Sequence, residues 1–263
     1  MASILESSPI LLGSLASLLA GLATGAGALP ILLVRRISDQ VQDVMLGFAA
    51  GVMLAAAFFS LILPGLEAAR GQGASEFRAV AVVAAGILIG AAGLWLIHRY
   101  APHEHFVAGP EGVPTQRLRR IWLFVIAITL HNFPEGLAVG IGFGGGDVGN
   151  GVALAIGIGV QNMPEGLAVA LALLSLDYSK AQALLMATMT GLVEPIGGLI
   201  GATAVTVAQP LLPWGLAFAA GAMIFVISDE IIPETHRKGL ETHGTAGLMV
   251  GLVVMMFLDV MLG

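Results

Sequence analysis

The sequence predicts an all-α polytopic membrane protein with eight transmembrane helices, and three observations predict it. Of its 263 residues, 57% are hydrophobic and 11% charged, less than half the roughly 25% charge of a soluble domain. A mean hydropathy of +0.93 leaves too little wettable surface for a soluble chain of this length. The apolar runs are long and continuous, close to the roughly 20 residues that cross a hydrocarbon core as a helix; barrel strands would be short and alternating. The composition excludes an ordinary cytosolic enzyme, a nucleic-acid binder and a disordered chain. The absence of cysteine excludes a disulfide scaffold, a thiolate metal site and a cysteine nucleophile. The net charge of −6 is spread over connecting loops and points to no anionic partner.

The expected spans, in order, are 9–34, 43–67, 77–98, 119–144, 149–176, 180–208, 212–232 and 245–263. The first has no Lys or Arg before its apolar run and is too long for a cleaved signal peptide. The 36 glycines suit helices that pack closely in a bilayer. Orientation follows from the basic residues. Arg35, Arg36, Arg99, Arg117, Arg119, Arg120, Lys180, Arg237 and Lys238 fall in the loops after spans one, three, five and seven, and only Arg70 and Arg78 fall after span two. Odd loops are therefore expected in the cytoplasm and both termini outside, in the inner (plasma) membrane. Residues 100–118 form the longest linker; Pro102, Pro110, Pro114, Gly109 and Gly112 argue against a helix there. His98, His103, Glu104 and His105 could catch metal weakly, or simply belong to a solvated loop.

Two internal repeats organise the chain. HNFPEGLAVG at 131–140 returns as QNMPEGLAVA at 161–170, with seven of ten positions identical. The copies lie on consecutive spans, so they face each other with opposite polarity. FAAGVM at 48–53 returns as FAAGAM at 218–223, each followed by an aliphatic-Pro pair, Leu63-Pro64 and Ile232-Pro233. GLATGAGALP at 21–30 aligns loosely with GLVEPIGGLI at 191–200. Spans one to three thus read as an inverted copy of spans six to eight, a pattern that points to a transporter.

Ionisable groups deep in spans are expensive and functional by default. Four occur here: His131, Glu135, Glu165 and Glu194, with Asn132, Gln161 and Asn162 beside them. On a helix, positions 131, 135 and 132 fall at about 0°, 40° and 100° around the axis, so Glu135 stands between His131 and Asn132. Glu165 stands likewise between Gln161 and Asn162. A carboxylate so placed can bridge two ions, one seen by His131, Gln161, Glu135 and Glu165, the other by Asn132, Asn162 and the same glutamates. Pro134, Pro164 and Pro195 remove backbone bonds and free the carbonyls of Leu130, Val160 and Gly191, which suits a cavity lining; bends are expected in all three spans. Carboxylates, an imidazole and amide oxygens make a cation site, and imidazole with carboxylate suits zinc and its divalent neighbours. Met53, taken alone, reads as packing.

At HNFPEG and QNMPEG the chain resembles the ZIP (Zrt/Irt-like) family of divalent-metal transporters, bacterial type, over essentially its whole length. The resemblance implies a 3+2+3 arrangement: residues 1–99 as first repeat, 119–176 as central metal-path helices, 180–263 as second repeat and 100–118 as cytoplasmic loop, all one domain. It implies that His131, Asn132, Glu135, Gln161, Asn162, Glu165 and Glu194 ligate metal, makes Met53 a further ligand, and implies a homodimer. Many members have His at the place of Gln161, and some bacterial members Asp at the place of Asn162. The expected cargo is Zn²⁺, with Cd²⁺, Fe²⁺ or Mn²⁺ as alternatives, carried into the cytoplasm by alternating access; no prosthetic group and no enzymatic activity are expected. Asp229, Glu230, Glu234 and His236 could receive metal as it leaves, and Asp259 could attract cations near the outer face. A proton-coupled carrier of an organic solute and a gated channel are the rival readings. An intramembrane metalloprotease would want HExxH, which the sequence lacks.

Overall fold

The computed structural model describes residues 8–33, 37–100, 104–105, 109–110, 117–175, 178–235 and 241–262. Among them the chain is helical apart from one two-residue ladder, Glu104–His105 paired antiparallel with Gly109–Pro110 in the long linker. Seven described helical segments are long and apolar enough to cross a membrane: Pro9–Leu32, Asp39–Gly71, Glu76–Ile97, Val148–Leu174, Lys180–Val207, Gln209–Asp229 and Glu241–Leu262. Helix Arg117–Gly144 lies between the third and fourth of these. All eight match the expected spans to within a few residues and are called spans one to eight below. Large apolar side chains cover their outer faces, with Phe77 86%, Val260 72% and Leu19 70% exposed, a surface suited to lipid rather than water.

Local sequence explains the ends and interruptions. Pro9 opens span one, where its missing N–H costs nothing. Ser179 and Gln182 form a reciprocal capping box at the start of span six. Gly146, at φ +88°, makes the short turn that sends span five back beside span four. Spans four and five run as single helices through Pro134 and Pro164, so the expected bends appear there as no break in the helix. Span six is interrupted: its first half ends at Gly191 and its second begins at Glu194, with Pro195 in the first turn where proline is tolerated. Spans two and seven each widen into a π-helical stretch, Ala56–Ile62 and Ile227–Ile231, just before Pro64 and Pro233.

The helices pack in two groups. Span one lies on spans five and six, and span four on span six. Span two pairs with span eight, span three with span seven, and span seven also packs on the π-helical part of span two. The groups meet where span two touches span five and span seven touches span four. An apolar cavity of about 270 Å³ opens between them, lined by Ile89, Leu137, Ile141, Val205, Trp214 and Phe218 among others.

Within each group glycines let backbones approach closely, as at Gly136 on Glu194, Gly47 on Gly244 and Gly90 on Phe218. A Cβ added at Gly136 would come closer than 3.0 Å to the carbonyl of Glu194, and one at Gly166 equally close to that of Thr24. Moving Gly136 by 30 residues and Glu194 by 170 turns the first pair into the second. The same two shifts relate Gly197 against Phe133 to Gly27 against Met163. Gly21 and Gly191, 170 apart, meet each other. The repeat in the sequence is thus repeated in the packing.

Candidate metal centre

Spans one, four, five and six bury most of the predicted polar residues in one place. Asn132, Glu135, Gln161, Asn162 and Glu194 are fully buried and Glu165 is 5% exposed. The side chain of His131 lies outside the described residues. The glycine contacts explain why the cluster is compact: Glu194 starts the second half of span six with its backbone pressed on Gly136, one residue after Glu135.

Two amide–carboxylate pairs hold the cluster. Gln161 Nε2 donates to Glu135 Oε1 at 2.6 Å, joining spans five and four. Asn162 Nδ2 donates to Glu194 Oε1 at 2.6 Å and to the carbonyl of Ala20 at 2.9 Å, joining spans five, six and one. The helical spacing grouped Asn162 with Glu135 and Glu165; its amide nitrogen instead serves Glu194, a residue on a third span whose rotation no single-helix argument fixes. Among the described residues, no three His, Asp or Glu side chains form a ready metal cluster; amides stand between the carboxylates.

Buried oxygens remain for a cation. Asn132 Oδ1, Gln161 Oε1, Asn162 Oδ1 and Glu194 Oε2 have no hydrogen-bond partner among the described residues. A buried acceptor left so costs about 1–3 kcal/mol, which a bound cation would offset. Carboxylate and amide oxygens are the hard part of such a donor set, and an adjacent imidazole is the part that suits zinc.

The other predicted residues whose side chains are described lie on the second helix group, on spans two, seven and eight. Met53 is buried in the same apolar core as Val139 of span four and Ile158 of span five, at the meeting of the two helix groups. Asp259 accepts a hydrogen bond from Ser60 Oγ. Pro64 has no N–H to offer the Ser60 carbonyl four residues back, and Asn150 Nδ2 of span five donates to that carbonyl at 3.1 Å. This group at one end of spans two, five and eight was anticipated only through Asp259. Asp229 is exposed near the end of span seven. His103 and His236, and the side chains of His98, Glu104, His105, Glu230 and Glu234, lie outside the described residues. Sequence reasoning did not single out Thr24, buried in span one, or Asp43, buried in span two; Thr24 faced Glu194 in the loosest of the repeat alignments.

Comparison with known proteins follows the same lines. A family model described as ZIP Zinc transporter matches residues 101–259. A Myxococcus xanthus protein, zinc transporter GufA, is 49% identical over 251 residues, covering 95% of this chain and 99% of its own. Zinc transporter ZIPB of Bordetella bronchiseptica is 49% identical over 244 residues, covering 92% and 78%. Zinc transporter ZIP11 of Homo sapiens is 35% identical over 321 residues, covering 91% and 94%.

Proposed function

The chain belongs to the ZIP family of zinc transporters, and from that premise we propose that it carries Zn²⁺ across the inner membrane into the cytoplasm through the centre formed by spans one, four, five and six. The observation that carries the reading is the set of buried, unsatisfied carboxylate and amide oxygens of Asn132, Gln161, Asn162 and Glu194 on three membrane helices, a chemistry that membrane interiors tolerate only for function. His131, Asn132, Glu135, Gln161, Asn162, Glu165 and Glu194 are the ligands of this proposal, with Met53 contacting the ion from the other helix group. The paired packing of spans two on eight and three on seven, and of one on five and four on six, supports a 3+2+3 inverted repeat. Both termini then lie outside, as the basic residues of the odd loops favour.

Transport follows as relative motion of the two groups. Each is welded internally by glycine–carbonyl contacts, while the seam between them holds a cavity of about 270 Å³, so displacement concentrates at the seam. Metal approaches from outside, displaces protons from the carboxylates, and leaves on the cytoplasmic side when the group of spans one, four, five and six moves against the other. The test is uptake of Zn²⁺, Cd²⁺, Mn²⁺, Fe²⁺ and Mg²⁺ into proteoliposomes by the wild type, His131→Ala and Glu165→Ala. Saturable transition-metal flux lost in both variants is expected. Flux indifferent to both, or none for any metal, would refute the reading and favour a carrier of organic solutes; flux that never saturates would favour a channel.

A further inference from the structure

The metal centre is built on a two-fold frame but is not symmetric in charge. The shift of 170 residues that relates Gly21 to Gly191 also relates Thr24 to Glu194, and the shift of 30 relates Asn132 to Asn162. Side-chain positions obey the same relation. Glu194 Oε1 lies 3.4 Å from where a Cβ of Gly21 would be, and Thr24 Oγ1 lies 2.7 Å from where a Cβ of Gly191 would be. The two side chains therefore flank the Gly21–Gly191 crossing from opposite sides.

On one side the mates are bonded to each other, Asn162 to Glu194. On the other side they are not satisfied. Thr24 is fully buried, and its Oγ1 has no hydrogen-bond partner among the described residues; the same holds for both amide atoms of Asn132. A helical threonine ordinarily returns its hydroxyl to a carbonyl three or four residues back, as Thr188 does to Leu184 and Thr190 to Ala187. Thr24 is withheld from that bond, and buried polar atoms left so need a use.

We propose that Thr24 and Asn132 form a release station for the transported cation, made of neutral oxygens and mirroring the Glu194–Asn162 side. This rests on the transport reading above and on odd loops facing the cytoplasm. Thr24 follows Gly21 on a span running inward, and Asn132 precedes Glu135 on a span running outward, so both lie on the cytoplasmic side of Glu135 and Glu194, on the side of Glu165, whose neighbour Gly166 is pressed on the Thr24 carbonyl. Glu194 and Asn162 lie on the outer side. A hydroxyl and an amide oxygen contact a divalent ion without neutralising it. The ion thus meets two carboxylates, Glu135 and Glu194, on the outer half of the frame and one, Glu165, with neutral oxygens on the inner half.

Thr24→Val removes the hydroxyl at nearly constant shape, and Thr24→Ser keeps it. Thr24→Val is expected to lower the maximal rate of zinc uptake about tenfold, the scale of one lost buried polar contact, with zinc binding at the glutamates retained; Thr24→Ser should stay near wild type. Thr24→Glu completes the symmetry and is expected to bind one more Zn²⁺ per purified chain. A Thr24→Val rate equal to wild type, or a loss that Thr24→Ser does not rescue, would overturn the proposal. If Thr24→Val does not fold, unchanged zinc stoichiometry in Thr24→Glu overturns it. Wild-type protein that moves no metal would instead refute the transport reading itself.

Discussion

Gly136→Ala should disable the transporter while leaving the chain folded. A Cβ at this position would stand 2.5 Å from Glu194 Cα and closer still to the Glu194 carbonyl oxygen, where ordinary contact begins at 3.4 Å. Spans four and six must therefore part by about 0.9 Å or more, and no flexible side chain can absorb the shift because the obstacle is backbone. Overpacking of this kind costs about 1–3 kcal/mol, within what a folded domain tolerates. The effect on function is larger. Glu194 is the residue being pushed, and misplacing a functional group by about 1 Å can cost up to about 10²-fold in rate. Zinc uptake into proteoliposomes should fall about tenfold or more, with the melting temperature in detergent only modestly lowered. Gly65→Ala is the control, because its added Cβ would meet nothing nearer than 3.6 Å. Equal uptake by Gly136→Ala and Gly65→Ala would refute the argument that backbone contact positions Glu194.

Two further outcomes are expected. In Asn162→Asp an oxygen replaces the nitrogen that serves Glu194 and Ala20, so acceptor faces acceptor; the metal-free protein should lose about 2 kcal/mol or more, and added Zn²⁺ should raise its melting temperature more than that of wild type. A zinc shift equal to wild type would count against a bridging role for this amide. Because metal and protons compete for the same carboxylates, zinc uptake measured with no imposed pH gradient should fall as pH is lowered; uptake unchanged or higher in acid would show that the glutamates do not exchange protons for metal.

The spans were legible because each is a local property: about 20 apolar residues, flanked by charge, need no partner to be recognised. The polar residues were legible because Glu135 and Glu165 recur in near-identical strings and cannot be accidental in an apolar helix. The partners of Asn162 were not, since the choice between Glu165 on its own helix and Glu194 on another is made by how spans one, five and six meet. Thr24 was missed for a related reason. A threonine in a membrane helix normally satisfies itself, and only the packed structure reveals one that does not. The interruption at Glu194–Pro195 was readable and real, whereas Pro134 and Pro164 lie inside continuous helices.

The π-helical stretches bear on how the two halves tolerate insertions and deletions. From Met53 to Pro64 is eleven residues, and from Met223 to Pro233 is ten. In an α-helix one extra residue rotates everything beyond it by about 100°, which would turn a lipid-facing side chain inward. Here the wide stretch is seven residues long in span two and five in span seven. A π-turn is the one helical element that accommodates a surplus residue without carrying the rotation forward. A duplicated gene whose halves gained or lost single codons could therefore keep both copies in register, because each half carries its length difference inside a segment that already has slack.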